Sequence, residues 1–98
     1  MTTLERIAAF SFRGKGIPEH MHEGLAAYID SGRPTGSFLE AVLSDRLLAS
    51  CANADEDNLD ALTVYPAFPY NEAPSGCSGS AENYADWIER GGLNGKKA

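Results

Sequence analysis

Three groups of residues in this chain carry usable chemistry, and each demands a different geometry. His20 and His22 stand among Glu19 and Glu23. Two residues apart on a helix is about 200° around the axis, so the two imidazoles cannot face one metal. Glu19 with His22, three residues on, supplies only two ligands. The group reads as a solvated helix face, and no metal site is assigned. Cys77, in Gly76-Cys77-Ser78-Gly79, lies just before a helix start, a position that lowers a thiol pKa. No histidine has a sequence relation to it and the tetrad matches no catalytic signature. No catalytic residue is assigned.

The third group is a pair of Gly/Ser-rich helix starts, Gly32-Arg33-Pro34-Thr35-Gly36-Ser37 and Ser75-Gly76-Cys77-Ser78-Gly79-Ser80. Free N–H groups and the positive end of the helix dipole make such starts potential anion sites. Arg33 adds a fork-shaped donor suited to phosphate. Neither segment is a P-loop or a dinucleotide fingerprint, and ordinary capping explains much of both. The rings of Tyr65, Phe68, Tyr70 and Trp87 could stack on a base or form a partner surface; completing a small core is the preferred reading. Asp55-Glu56-Asp57 with Asp60 reads first as a solvated helix start and second as a phosphate-mimicking surface for a basic protein.

The elements that must hold these groups are helical. Pro18 suits a first helical turn, where its missing N–H would be unpaired anyway. Met21, Leu25, Tyr28 and Ile29 then share one face, and Gly32 predicts the stop. After the Arg33–Gly36 turn, Ser37 with Glu40 matches a capping box. The spacing predicts a second helix over 38–51, apolar over more than half its circumference and hence the central, most buried one. Cys51 at its end reads as a small core residue. Asn53-Ala54-Asp55-Glu56 is a second capping signature, opening a third helix with Leu59, Leu62 and Tyr65 that Pro66 and Pro69 should end or kink. Residues 71–79 form a loop. Ser80 caps a last helix with Tyr84, Trp87 and Ile88 on one stripe, ended by Gly91-Gly92. The expected fold is all-α: a compact bundle of about four short helices, with a flexible N-terminal arm over 1–17, a helical domain over 18–92, a Pro/Gly-rich loop before the last helix and a loose tail over 93–98.

Bulk properties narrow the function. Ninety-eight residues, 43% hydrophobic and 22% charged, suit one globular domain. No apolar run approaches the roughly 20 residues that cross a bilayer. Glu5 and Arg6 interrupt what would be a signal peptide, so a cytoplasmic protein with reduced thiols is expected. The net charge of −6 is unevenly spread: Arg6, Arg13 and Lys15 lie near the start and Arg90, Lys96 and Lys97 near the end, while the body between them is strongly acidic. Such a body repels a nucleic-acid backbone.

From Ile17 to Trp87 the chain resembles a family of small proteins from bacterial, phage and prophage genomes. The resemblance is carried by Ile17-Pro18, Tyr28, Gly32, Pro34, Gly36-Ser37-Phe38-Leu39, Ala41-Val42-Leu43, Ala54-Asp55, Asn58, Tyr70-Asn71-Glu72-Ala73-Pro74-Ser75, Gly79-Ser80 and Trp87. The chain departs from the pattern at Asp45-Arg46, where relatives tend to have Asn-Asp, at Ser78, where a ring is usual nearby, and in having Pro66 and Pro69. The resemblance implies a phage-type accessory protein that acts stoichiometrically, without catalysis and without a cofactor. The expectation is a sponge for a nucleotide second messenger of host defence, with Arg33, Thr35, Gly36, Ser37, Tyr70, Asn71 and Ser75 as ligand-binding residues. A chain this small would enclose such a ligand as a homo-oligomer. The rival is an acidic inhibitor or adaptor that blocks a basic host protein. A small hydrolase using Cys77 or the two histidines ranks last.

Overall fold

A computed structural model describes residues 2–60, 62, 64, 65, 68 and 76–95. The chain is mostly helical, with one small hairpin among the described residues. The elements are α1 (Thr3–Ala9), β1 (Ser11–Phe12), β2 (Lys15–Gly16), a 3-10 turn (Glu19–Met21), α2 (His22–Ser31), α3 (Ser37–Leu43), α4 (Leu47–Asn53), α5 (Glu56–Asp60), α6 (Ala81–Arg90) and a final 3-10 turn (Gly92–Asn94). No helix among the described residues is long and apolar enough to cross a membrane.

The N-terminal segment is not a flexible arm. Thr2 and Glu5 close a reciprocal capping box, the Thr2 hydroxyl accepting from the Glu5 N–H at 3.1 Å and the Thr2 N–H donating to Glu5 at 2.8 Å. One turn on, Ile7 is fully buried in the core, and Thr3 donates to Asp30 at 2.5 Å. β1 and β2 pair antiparallel, Ser11 opposite Gly16 and Phe12 opposite Lys15. The two-residue turn between them places Arg13 (φ 54°) and Gly14 (φ 79°) both at positive φ, the geometry that matches strand twist in tight hairpins. The architecture is therefore helical with a hairpin rather than all-α.

α2 follows its sequence pattern. Leu25, Ala26, Tyr28 and Ile29 are buried, and Gly32 at φ 69° caps the helix. α6 does the same: the Ser80 hydroxyl accepts from the Asn83 N–H at 3.0 Å, Tyr84 and Trp87 are buried, and Gly91 at φ 86° ends it. The two helices meet end to end. The Trp87 indole N–H donates to the carbonyls of Tyr28 at 2.9 Å and Ile29 at 3.2 Å, and the rings of Tyr28 and Tyr84 stack 5.2 Å apart. Their C-terminal glycines touch backbone to backbone. A Cβ on Gly92 would lie 2.6 Å from main-chain atoms of Asp30, Ser31 and Gly32.

The single central helix expected over 38–51 is two helices. Asp45, at φ 61°, turns the chain out after Ser44, and the Arg46 N–H returns to the Ala41 carbonyl at 2.8 Å. This is a helix C-cap built without glycine; aspartate tolerates the left-handed region better than most residues. α3 is buried through Phe38, Leu39, Ala41 and Leu43. α4 is not: Leu47, Leu48 and Cys51 are exposed, so Cys51 is no core residue. The expected Ser37 capping box is also absent. Gly36 occupies the N-cap and no side chain bonds there. At the third helix the cap is Asp55, which accepts from the Asn58 N–H at 2.8 Å. Asn58 itself is buried and accepts from the Tyr65 hydroxyl. Val64, Tyr65 and Phe68 complete the core, with edge-to-face rings at Phe38–Tyr65 and Phe10–Phe68.

Candidate functional site

The segment between α2 and α3 is built by its two neighbours. The left-handed Gly32 releases the chain from α2, and the Arg33 N–H still reaches back to the Ala27 carbonyl at 3.4 Å. Pro34 forbids a further helical turn. Thr35 is then tied to α6: its N–H donates to the Tyr84 hydroxyl at 2.9 Å, and its own hydroxyl lies 2.9 Å from the same oxygen. Because Tyr84 is stacked on Tyr28, that anchor is rigid. Gly36 follows as N-cap and α3 begins at Ser37.

Arg33, Gly36 and Ser37 are exposed and Thr35 is half-buried. Thr35 works as the strut of the turn, its hydroxyl engaged with Tyr84 and with the Gly36 carbonyl at 3.2 Å. The N–H groups of the first turn of α3 have no intrahelical acceptor, and no side chain caps them. That leaves a short donor set beside one guanidinium. Glu40 is the acidic group in the first turn of α3 and opposes an anion there. Tyr70, Asn71 and Ser75 lie outside the described residues.

The second Gly/Ser segment is occupied by structure from Gly76 to Ser80. The Gly79 N–H donates to the Leu43 carbonyl at 2.8 Å, Asn83 donates to the Ser78 carbonyl at 3.0 Å, and Ser80 caps α6. The buried Tyr28 hydroxyl donates to the Cys77 carbonyl at 2.6 Å. Cys77 is fully buried, and burial pushes its thiol pKa up, which disfavours the thiolate.

The two histidines do separate work. His20 lies 3.1 Å from Asp55, bridging the 3-10 turn to the start of α5. His22 donates or accepts nothing in common with it: its ring nitrogen lies 2.6 Å from the Ile17 carbonyl, so it is the donor there. They are thus bonded rather than simply solvated, through partners the sequence spacing could not suggest. The Asn58 N–H, then His20, hold the Asp55 carboxyl below the ordinary aspartate range, against a smaller opposing effect of burial. Beside this bridge an open groove of about 470 Å³ is lined by Lys15, Gly16, Pro18, Glu19, His20, Asp57 and Asp60. No group of three His, Cys, Asp or Glu able to hold a metal occurs among the described residues.

Of the four aromatics that could have formed a stacking surface, Tyr65, Phe68 and Trp87 are core residues. Tyr84 is the functional neighbour that sequence reasoning missed. Its spacing marked it as core, and its hydroxyl end gave no separate signal. Comparisons with protein-family models, characterised proteins and solved structures return no match to this chain.

Proposed function

We propose that the protein is a non-enzymatic binding protein that sequesters a small phosphate-bearing ligand, a cyclic nucleotide second messenger in the phage-type setting its sequence resembles. The reading rests above all on the Arg33–Ser37 turn. It presents an uncapped helix start next to an exposed guanidinium, held in place by the Thr35–Tyr84 bonds. Phosphate oxygens accept from such N–H groups, and arginine matches them two at a time. Stoichiometric binding is favoured over hydrolysis because the Cys77 thiol is buried and His20 and His22 are committed to different partners.

Calorimetry of the folded protein against a panel of cyclic nucleotides tests the proposal. Saturable heat with one of them is expected, reduced about ten- to a hundredfold in affinity by Arg33→Ala, the loss for a charge-assisted pair. Silence across the panel would sink it. One observation favours the adaptor reading instead: Glu19, Asp57 and Asp60 line an open groove that a basic protein surface would complement. That complex would be recovered from host lysate and would weaken with salt.

A further inference from the structure

The most exposed large apolar side chains among the described residues are neighbours, Leu47 at 66% and Leu48 at 85% exposed, both opening α4. One turn further on the same helix, Cys51 and Ala52 are exposed as well. No residue from Leu47 to Asn53 is charged, in a chain whose net charge is −6. Beside Leu47 the surface sinks into a dimple of about 70 Å³ lined by Val42, Asp45, Arg46, Leu47, Ser50 and Leu62. Each copy thus offers protruding leucines at one end of a helix and small side chains and a depression to receive them.

We propose that this face docks on the same face of a second copy, with the two α4 helices antiparallel about a twofold axis. A twofold contact must be self-complementary, since every residue meets its own counterpart's neighbour. Antiparallel pairing sets the leucines of each copy over Cys51 and Ala52 of the other. It also settles the charges. Arg46 precedes α4 and is exposed, while Asp55 and Glu56 follow it and are exposed. Antiparallel helices bring Arg46 of each copy to the acidic end of the other, twice per dimer. A parallel pairing would set arginine against arginine and carboxylate against carboxylate. A basic foreign partner finds no carboxylate on the α4 face to pair with, whereas a second copy matches it in both shape and charge. This assembly stands independently of the ligand reading.

Sedimentation velocity and native mass spectrometry of the full chain, from micromolar to submillimolar concentration, test it. The wild type moves from 10.5 kDa to twice that mass as concentration rises. Leu48→Glu, at a solvent-exposed position, keeps its melting temperature but raises the dissociation constant at least about a hundredfold, because two leucines per dimer lose their burial. Maleimide labelling of Cys51 slows with concentration in the wild type and not in the variant. Arg46→Glu weakens the dimer, and adding Glu56→Arg restores it. A wild type that stays at 10.5 kDa throughout, or a Leu48→Glu chain that assembles as the wild type does, overturns the proposal. Failure of the charge swap to restore assembly overturns the antiparallel arrangement.

Discussion

Gly92 is the position where one added methyl group should do most harm. Its φ of 69° already costs an alanine about 1–2 kcal/mol. The added Cβ would also stand 2.6 Å from Asp30, Ser31 and Gly32, and every one of those contacts is with main chain. Side chains can rotate away from an intruder; the capped end of α2 cannot, because Trp87 and Gly32 both fix it. Overpacking of this kind costs a further 1–3 kcal/mol or so. The total, about 2–5 kcal/mol, is a large share of the roughly 5–15 kcal/mol that holds a domain folded. Chemical denaturation of Gly92→Ala should therefore show the loss, with a melting temperature down by at least about 10 °C. Two controls separate the terms. Gly91→Ala has the same backbone strain (φ 86°) but meets only Gly95 at 3.1 Å, so it should lose about half as much. Gly24→Ala, exposed within α2 with nothing inside 4 Å, should stabilise by about 0.5–1 kcal/mol. A Gly92→Ala protein no less stable than Gly91→Ala would refute the backbone contact between the ends of α2 and α6.

Three further outcomes follow from the same geometry. Tyr28→Phe removes the donor to the buried Cys77 carbonyl and should cost about 1–3 kcal/mol in urea unfolding, with the stacked Tyr84 ring unmoved. In dilute solution a thiol reagent should titrate one cysteine of the native protein, Cys51, and reach Cys77 only on unfolding, since Cys77 is buried with its pKa raised. Asp55 and Glu5 both have lowered pKa values, Asp55 chiefly through the Asn58 N–H and Glu5 chiefly through the Thr2 N–H. A lowered carboxyl pKa contributes stability that is complete above the ordinary carboxylate value and is lost as pH falls through the folded-state value. Glu5→Gln with Asp55→Asn should accordingly flatten the acid limb of a stability–pH curve and leave neutral pH nearly unchanged.

What could be read from the sequence was whatever a local rule encodes. Gly32, Ser80 and Gly91 announce α2 and α6 because caps and left-handed stops need particular residue types, and the apolar stripes of those helices did the rest. α1 was missed because its capping box starts at the second residue and only Ile7 on it is buried, too little for a period to show. The candidate turn was located by its glycines and Arg33, but its anchor was not. Thr35 and Tyr84 are 49 positions apart, and nothing in either residue type foretells the bond. His20–Asp55 and Trp87–Tyr28 are long-range pairs of the same sort. The aromatic surface failed for the opposite reason: large rings satisfy a stacking site and a small core equally well in composition, and here Tyr65, Phe68 and Trp87 went inside.

The break at Asp45 links the fold to both proposed surfaces. In one continuous helix, Leu47 would follow Leu43 at i+4 and share its buried face, and Leu43 is 1% exposed. A left-handed residue between them rotates everything beyond it, so that Leu47 and Leu48 point outward while Ser50 turns in and donates to the Arg46 carbonyl at 2.8 Å. The same break shortens α3 to seven residues. Its N-terminal end is then held by Gly36 and the Thr35–Tyr84 bonds, and its C-terminal end by the Gly79 N–H on the Leu43 carbonyl. A helix clamped at both ends by α6 and its leading loop keeps the Arg33 turn at a set height over Tyr84. A leucine-rich helix freed from the core must find cover elsewhere. One aspartate at positive φ thus does for the docking face what Gly32 does for the ligand turn: it ends a helix where burial alone would have continued it.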